Sequence, residues 1–314
     1  MVTIGKNKKT IYKILRMHYL DNLSQNEIAK RLSISRMKVA RFIWSAKEQN
    51  LVEIKFNFPI YENEKLETEL EKKFNLKECR IISNFENIDD SYKYSALELS
   101  GILERILTDK EYVGISWGTT LEGVSKYISL NKKINADIVP VFCAIGSNGK
   151  NNSINFLIKN LADAIGGVSH PVHVPAVVDS KVAKETIEME RQTKAMIELN
   201  KKISTIILAV GVIDIGSSFS QIGAFMQEDV DYLHSLGVVG ILNMEFLNAD
   251  GERVINKIDD RVVRILPFDS IKKIKNSILI SWGSEKVEIL KAAIKSRSVN
   301  MLITDEGTGK AILG

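Results

Sequence analysis

Cysteine is scarce in this chain, with two residues in 314, Cys79 and Cys143. They lie far apart and without nearby ligand-type partners, which excludes a disulfide framework or a cysteine-based metal site and predicts two reduced structural side chains. Long apolar runs are missing too. None approaches the ~20 residues needed to cross a bilayer, and the opening MVTIGKNKKT lacks the apolar segment of a secretory signal. The expectation is a cytoplasmic protein with no membrane partner. Histidine is limited to four residues. His170 and His173, in SHPVH, have the spacing of a strand and no convergent carboxylates or cysteines, so no metal is expected there. Internal repeats and low-complexity segments are absent as well.

What is present is ordinary in amount and uneven in placement. Apolar residues make up 45% and charged residues 26% of the chain, as in soluble proteins, and the length suits about two domains. The formal net charge of +4 conceals an asymmetry: residues 1–60 carry 12 Lys/Arg against 4 Asp/Glu, while the remainder carries 31 against 35. A basic N-terminal segment of this kind neutralises phosphates and gains affinity by counterion release.

The stretch from Leu23 to Val52, LSQNEIAKRLSISRMKVARFIWSAKEQNLV, accounts for that charge. Ile28, Ala29 and Leu32 form one apolar stripe, and Val39, Phe42, Ile43 and Ala46 a second, both at helical period. Ser24 and Glu27 have the spacing of a capping box that starts the first helix, and Ser35 is placed to cap the second. Leu32-Ser33-Ile34 makes the turn, with Ile34 as an apolar plug between helices of roughly 8 and 14 residues. This is a helix-turn-helix. Arg36, Met37, Lys38 and Arg41, with Ser35 ahead of them, fall on the exposed start of the second helix, where base edges and phosphates are met. A helical hairpin with a solvated basic face is the bland alternative. Residues 8–20 supply a supporting helix through Ile11, Ile14, Leu15 and Tyr19, and the alternating segment Leu51–Phe56 reads as a short wing.

Pro59 marks a boundary, which divides the chain into 1–56 for DNA binding, a linker helix within 57–75, and a C-terminal domain over 76–314. On the linker helix Leu66, Leu70 and Phe74 form a narrow seam that suits either a dimer contact or packing on the C-terminal domain itself. Beyond residue 76, strands alternate with helices: Cys79–Ser83, helix Tyr92–Leu107, Tyr112–Ser116, helix Leu121–Ile128, Asp137–Phe142, helix Ile154–Ile165. The series continues through His173–Val174, a long helix Lys181–Asn200, Thr205–Val210, helix Glu228–Leu236, Val262–Ile265, Ser277–Ser281, helix Lys286–Lys295 and Asn300–Thr304. Such alternation predicts one doubly wound, largely parallel α/β domain.

Ligands of open parallel sheets bind outside the carboxyl ends of strands, which directs attention to three loops. In Val113–Thr120, a strand enters a helix through Gly118, Thr119 and Thr120, offering hydroxyls and backbone donors to an anion or polyol; the plain alternative is a turn with Thr119 as helix cap. Ile278–Lys286 repeats the design and puts Lys286 in the first turn of a helix, against the dipole, where a ligand anion would repair the mismatch; otherwise Lys286 is a solvated surface residue. Asp305 and Glu306, after the last strand, either cap a helix or accept hydrogen bonds from hydroxyls. Asn151 and Asn152 orient a ligand or form a turn. Trp44, Phe225, Met226, Met244 and Phe246 read as core or interface residues.

The helix-turn-helix SQNEIAKRLSISRMKVAR, followed in order by GISWGTT, GVVGILNMEFLNADGE, SWGSEKVEIL and LITDEGTGKAIL, resembles the SorC family of bacterial sugar-responsive transcriptional regulators over nearly the whole chain. The resemblance implies a winged helix-turn-helix ahead of a sensor domain similar in fold to sugar-phosphate isomerases, binding operator DNA as a homotetramer or dimer of dimers. It implies a sugar or phosphosugar effector, no cofactor, and no catalysis. Carried over by position, it makes Gly118, Thr119 and Thr120 the phosphate- or sugar-binding loop, Lys286 a second contact and Asn152 a polar contact. Three positions depart from the family pattern: Phe142-Cys143-Ala144 replaces a glycine pair preceded by a basic residue, Ile241 replaces an acidic residue, and Glu245 replaces a basic one. These changes imply a less polar pocket, disfavour a doubly phosphorylated sugar, and exclude a Schiff base to a lysine at 142. A sugar-phosphate isomerase or deaminase with a DNA-binding appendage is the enzymatic alternative, with Asp305 and Glu306 its candidate bases, and a DNA-binding protein with a vestigial sensor is another.

Overall fold

The first helix of the chain, α1 (Lys8–Tyr19), packs on a helical pair, α2 (Gln25–Leu32) and α3 (Arg36–Glu48), in a computed structural model that describes residues 8–49, 51–52, 63–144, 154–217, 220 and 224–314. These helices belong to a unit spanning Met1–Ile60, and a second unit runs from Tyr61 to Gly314. Ser24 starts α2 as the spacing predicts: its hydroxyl accepts from Glu27 N at 3.3 Å while the Glu27 carboxylate accepts from Ser24 N at 2.8 Å. The Ser24 hydroxyl also donates to the Glu27 carboxylate at 2.6 Å, and this bond, followed by the one from Ser24 N, holds the Glu27 carboxyl below its usual range. Ser33 ends α2 in the left-handed region (φ 51°), and the Ser35 hydroxyl caps α3 by accepting from Lys38 N at 3.2 Å. Ile11, Ile14, Ile28, Val39, Phe42 and Ile43 close the core, with Ile34 packed against it. Burying each such side chain contributes about 1.5–3 kcal/mol, enough to hold three short helices that would be marginal alone. The expected wing lies outside the described residues from residue 53 onward.

In the second unit, a seven-stranded sheet runs in the order β1-β10-β9-β5-β2-β3-β4, every pairing parallel. Its strands are β1 (Glu78–Ile82), β2 (Tyr112–Ile115), β3 (Asp137–Pro140), β4 (Val168–Ser169), β5 (Ile203–Leu208), β9 (Asn276–Ile280) and β10 (Met301–Asp305). Central strands such as β9 are buried along their whole length, as expected when helices cover both faces. The chain steps from β2 outward to β3 and β4, returns at β5 on the other side of β2, and continues outward to β9 and β10. The direction of winding therefore reverses between β2 and β5.

Several sequence expectations are corrected. A small antiparallel sheet, β6 (Val210–Gly211), β7 (Val238–Leu242) and β8 (Glu245–Asn248), continues from the end of β5. It escaped the sequence reading because its hairpin turn, Asn243-Met244, lacks the glycine that usually marks two left-handed residues (φ 49° and 61°). The long helix over 181–200 is two, α8 (Lys181–Met189) and α9 (Arg191–Asn200), separated by an extended Glu190 (ψ 143°). The break divides a segment without a buried residue from one that buries Thr193, Met196 and Asn200. Val168–Ser169, rather than His173–Val174, is the edge strand, and Val262 makes an isolated bridge to Val177 instead of a ladder. Helix α4 (Glu64–Phe74) buries Leu70 fully and packs Leu66 and Phe74 in the core shared with β1 and β10, so its apolar seam is occupied within its own unit. Both cysteines are free and buried, with burial holding their thiols above the usual range.

Candidate functional site

The reversal between β2 and β5 leaves a crevice at the carboxyl ends of these strands, the place where helix termini and loops diverge. A cavity of about 280 Å³ occupies it, a size near the lower end, about 300 Å³, of ordinary ligand pockets. Among the described residues its wall comprises Trp117, Gly118, Thr119 and Thr120 after β2, Phe142 after β3, Ala209–Val212 after β5, Gly216 and Ser217, Ile241 and Asn243 from the β7–β8 hairpin, and Lys286 after β9. Four of the five sequence-derived effector residues thus converge from loops 160 and more positions apart in the chain. Asn152 lies outside the described residues.

Each wall has a mechanical cause. Gly118 precedes α6 (Thr119–Ser125), and a Cβ there would stand 3.3 Å from the Ala209 Cβ, so glycine lets the β2 and β5 loops approach. The same loops are tied by Ala209 N donating to Ser116 Oγ at 3.3 Å. Trp117 is held as a wall by its Nε1, which donates to Glu122 Oε1 at 2.8 Å; burial keeps the Glu122 carboxyl above its usual range. Thr120 is buried and Thr119 exposed at the helix start, where the first backbone N–H groups have no partner within the helix.

Lys286 ends a 3₁₀ turn (Ser284–Lys286) and precedes α12 (Val287–Lys295). Its loop is fixed by Gly283, which has a left-handed φ of 114° and donates N–H to Thr308 Oγ1 at 2.8 Å. Burial pushes the Lys286 amine below its usual range, a shift that the neighbouring Glu285 charge opposes. Half-buried at the cavity wall, the Lys286 ammonium favours an anion beside it. Asp305 caps the last helix, α13 (Glu306–Leu313), by accepting from Thr308 N at 2.7 Å, and Glu306 pairs with Lys310. Neither acid lines the cavity, so the candidate bases of the enzymatic reading are engaged elsewhere.

Asn243 was missed by sequence reasoning. Its side chain is 7% exposed, lines the cavity, and its Oδ1 has no hydrogen-bond partner, a state that costs about 1–3 kcal/mol unless something fills it. The hairpin holding it is bolted from behind: Arg264 Nη2 donates to the Met244 carbonyl at 2.7 Å. Glu245, 1% exposed, stands 3.1 Å from Arg264 and 2.7 Å from Arg253 as close ion pairs rather than aligned hydrogen bonds. Glu245 therefore supports the turn and does not enter the cavity, whereas Phe142 and Ile241 do, as the departures at those positions imply.

In the N-terminal unit, Arg36, Lys38 and Arg41 are exposed on α3, while the Ser35 hydroxyl is spent on the helix cap. Trp44 is 64% exposed on the same helix, which leaves the interface half of its core-or-interface reading. Phe225, Met244 and Phe246 are core residues as expected, and Met226 is exposed. His170 Nε2 stands 2.7 Å from Asp137 Oδ1 in the C-terminal unit, the carboxylate oxygen accepting, and among the described residues no group of metal-ligating side chains gathers.

Residues 59–314 match the family model of the Sugar-bind sugar-binding domain. The chain belongs to this family, the SorC type of transcriptional regulator. Similar proteins include the deoxyribonucleoside regulator of Bacillus subtilis, 26% identical with 95% of each chain covered. The sorbitol operon regulator of Klebsiella pneumoniae is 24% identical, with 97% of this chain and 98% of that one covered. The solved full-length structure of the Klebsiella regulator superimposes with a TM-score of 0.75 at 22% identity over 98% of each chain. This SorC-family chain therefore shares the fold of the Klebsiella regulator.

Proposed function

We propose that this chain is a DNA-binding transcriptional regulator of a carbohydrate-utilisation operon, controlled by a sugar or phosphosugar bound in the cavity between β2 and β5. The observation that carries the reading is convergence: the Gly118-Thr119-Thr120 helix start, the desolvated Lys286 and the unpartnered Asn243 face one small space. The anionic end of an effector sits at Lys286 and Thr120, and a hydroxyl donates to Asn243 Oδ1. Trp117, Phe142 and Ile241 cover the remaining carbon surface, so one phosphate rather than two fits the charge available.

Binding shifts the population of sensor arrangements, and a coupling of about 1–3 kcal/mol changes how paired recognition helices match operator half-sites. The active form is a homotetramer arranged as a dimer of dimers, in the cytoplasm, with neither cofactor nor catalytic activity. Aldose–ketose chemistry needs a positioned general base, and the described lining holds no carboxylate or histidine; its one amine, Lys286, is assigned to the anion of the effector. Relatives named as a sorbitol operon regulator and a deoxyribonucleoside regulator support a carbohydrate-linked role.

The test is a thermal-shift and tryptophan-fluorescence screen of the full chain against sugars and their monophosphates. Trp117 in the wall provides the signal. A compound that stabilises the wild type and not Lys286→Met establishes the site; stabilisation that survives in both Lys286→Met and Thr120→Val rejects it, and turnover of any compound revives the enzymatic reading.

A further inference from the structure

The face of α3 opposite its core carries large exposed apolar side chains beside its basic ones. Val39, Phe42, Ile43 and Ala46 are buried, while Met37 is 76% and Trp44 64% exposed. At 100° per residue, Met37, Ala40, Arg41 and Trp44 fall on one stripe, with Arg36 and Lys38 about 100° to either side of Met37. The stripe borders a concave surface shared by Ser35 and Lys38. No acidic residue occupies the first turn; Glu48, next on the same face, ends the stripe.

Large exposed apolar side chains on a helix call for a partner. A second copy of the same stripe would press Arg36, Lys38 and Arg41 against their own equivalents, a like-charge contact that opposes association. A polyanion with apolar groups between its charges removes that conflict. In the major groove, phosphates flank a floor whose apolar groups are the thymine C5 methyls.

We propose that Met37, Ala40 and Trp44 read thymine methyl groups in the major groove, with Arg36 and Lys38 on the flanking phosphates. The proposal rests on the DNA-binding reading above and adds a base preference to it. Met37 and Trp44 are seven residues apart, about 10 Å along the helix, and so cover about three base steps. Each half-site then carries thymines within three or four consecutive base pairs.

The experiment uses the full-length protein and a duplex selected by it from a randomised pool, in which each thymine is replaced in turn by deoxyuridine. That change removes one methyl and keeps the pairing. The expected result is about a fourfold loss of affinity per contacted methyl. The loss at one position disappears in Met37→Ala and at another in Trp44→Ala, while the salt dependence of binding stays that of the wild type. Both residues are exposed, and Trp44→Phe keeps an apolar contact if the alanine variant folds poorly. Wild-type affinity unchanged by every replacement, or losses that persist in both variants, would overturn the proposal while leaving DNA binding intact. A change of oligomeric state in Trp44→Ala would assign the stripe to protein contact and also overturn it. Failure to select any duplex would remove the DNA-binding reading and this inference together.

Discussion

The recognition helix and the effector cavity solve opposite problems. On α3 the functional groups are consecutive in sequence, point outward and depend on one amphipathic helix; in the cavity they come from five separate loops, point inward and depend on the order of strands in a sheet. A site of the first kind survives changes elsewhere as long as nine core side chains hold three helices together. The second kind fails whenever any of its walls shifts, because the residues share no local structure. Consequently one surface can evolve base preference residue by residue, whereas effector preference changes through residues such as Phe142 and Ile241 that alter a shared space.

The sharpest break between the two regions comes from the hairpin support. Glu245→Ala leaves Arg264 and Arg253 short of a buried counter-charge, at a cost of about 3 kcal/mol because Asp259 still faces both guanidiniums. Calorimetry of the full chain should show the sensor transition lowered and that of the N-terminal unit unmoved; equal loss in both would mean that the two regions are not independent.

Next in size is the reciprocal change. Arg36→Ala and Arg41→Ala should each weaken operator binding by about 1–3 kcal/mol in a gel shift at fixed salt, with effector-induced stabilisation unchanged. Unaltered affinity in both variants would reject the assignment of α3.

Asn243→Gly removes the acceptor and with it the orphaned carbonyl, and glycine adopts the left-handed φ of 49° held there, so the ligand-free sensor should be no less stable, while affinity for a hydroxylated effector falls by about 0.5–1.5 kcal/mol. Titration against the effector and its analogue lacking one hydroxyl checks this: the variant should bind the two alike. The smallest effect concerns pH. Because burial lowers the Lys286 amine, the unfolded chain holds a proton that the folded chain releases between the lowered value and the ordinary 10.5. Stability of the ligand-free sensor therefore rises with pH through that window. Lys286→Met should flatten that rise in a series of thermal melts, and anion binding by the wild type should weaken over the same range as the amine loses its charge.

How much of this was legible in the sequence follows from the same contrast. Helix-turn-helix residues repeat at 3.6 positions and carry their own caps, so Ser24, Glu27, Ser33 and Ser35 can be assigned locally. Trp44 could be read locally only as core or interface; its phase, one residue from Ile43 and two from Ala46, places it outside the core. The parallel strands were visible as apolar runs, and the rule that ligands sit at their carboxyl ends selected Gly118, Thr119, Thr120 and Lys286. The two Ser-Trp-Gly loops show the limit of that rule. Trp117 lines the cavity, whereas Trp282 packs 5.9 Å from Tyr92, and which tryptophan does which follows from strand order. Asn243 was invisible for a different reason: its hairpin adopts left-handed residues without glycine and is held by Arg264 and Glu245, a tertiary device with no local signature.

The central claim is that the cavity and α3 communicate. The direct test is operator affinity of the full chain, measured at one salt concentration with and without the compound that stabilises the sensor, in the wild type and in Lys286→Met. The account predicts that the compound changes wild-type affinity about fivefold or more and leaves the Lys286→Met complex as it was. Operator binding that ignores every sensor ligand in the wild type, or responds equally in the variant, would contradict it.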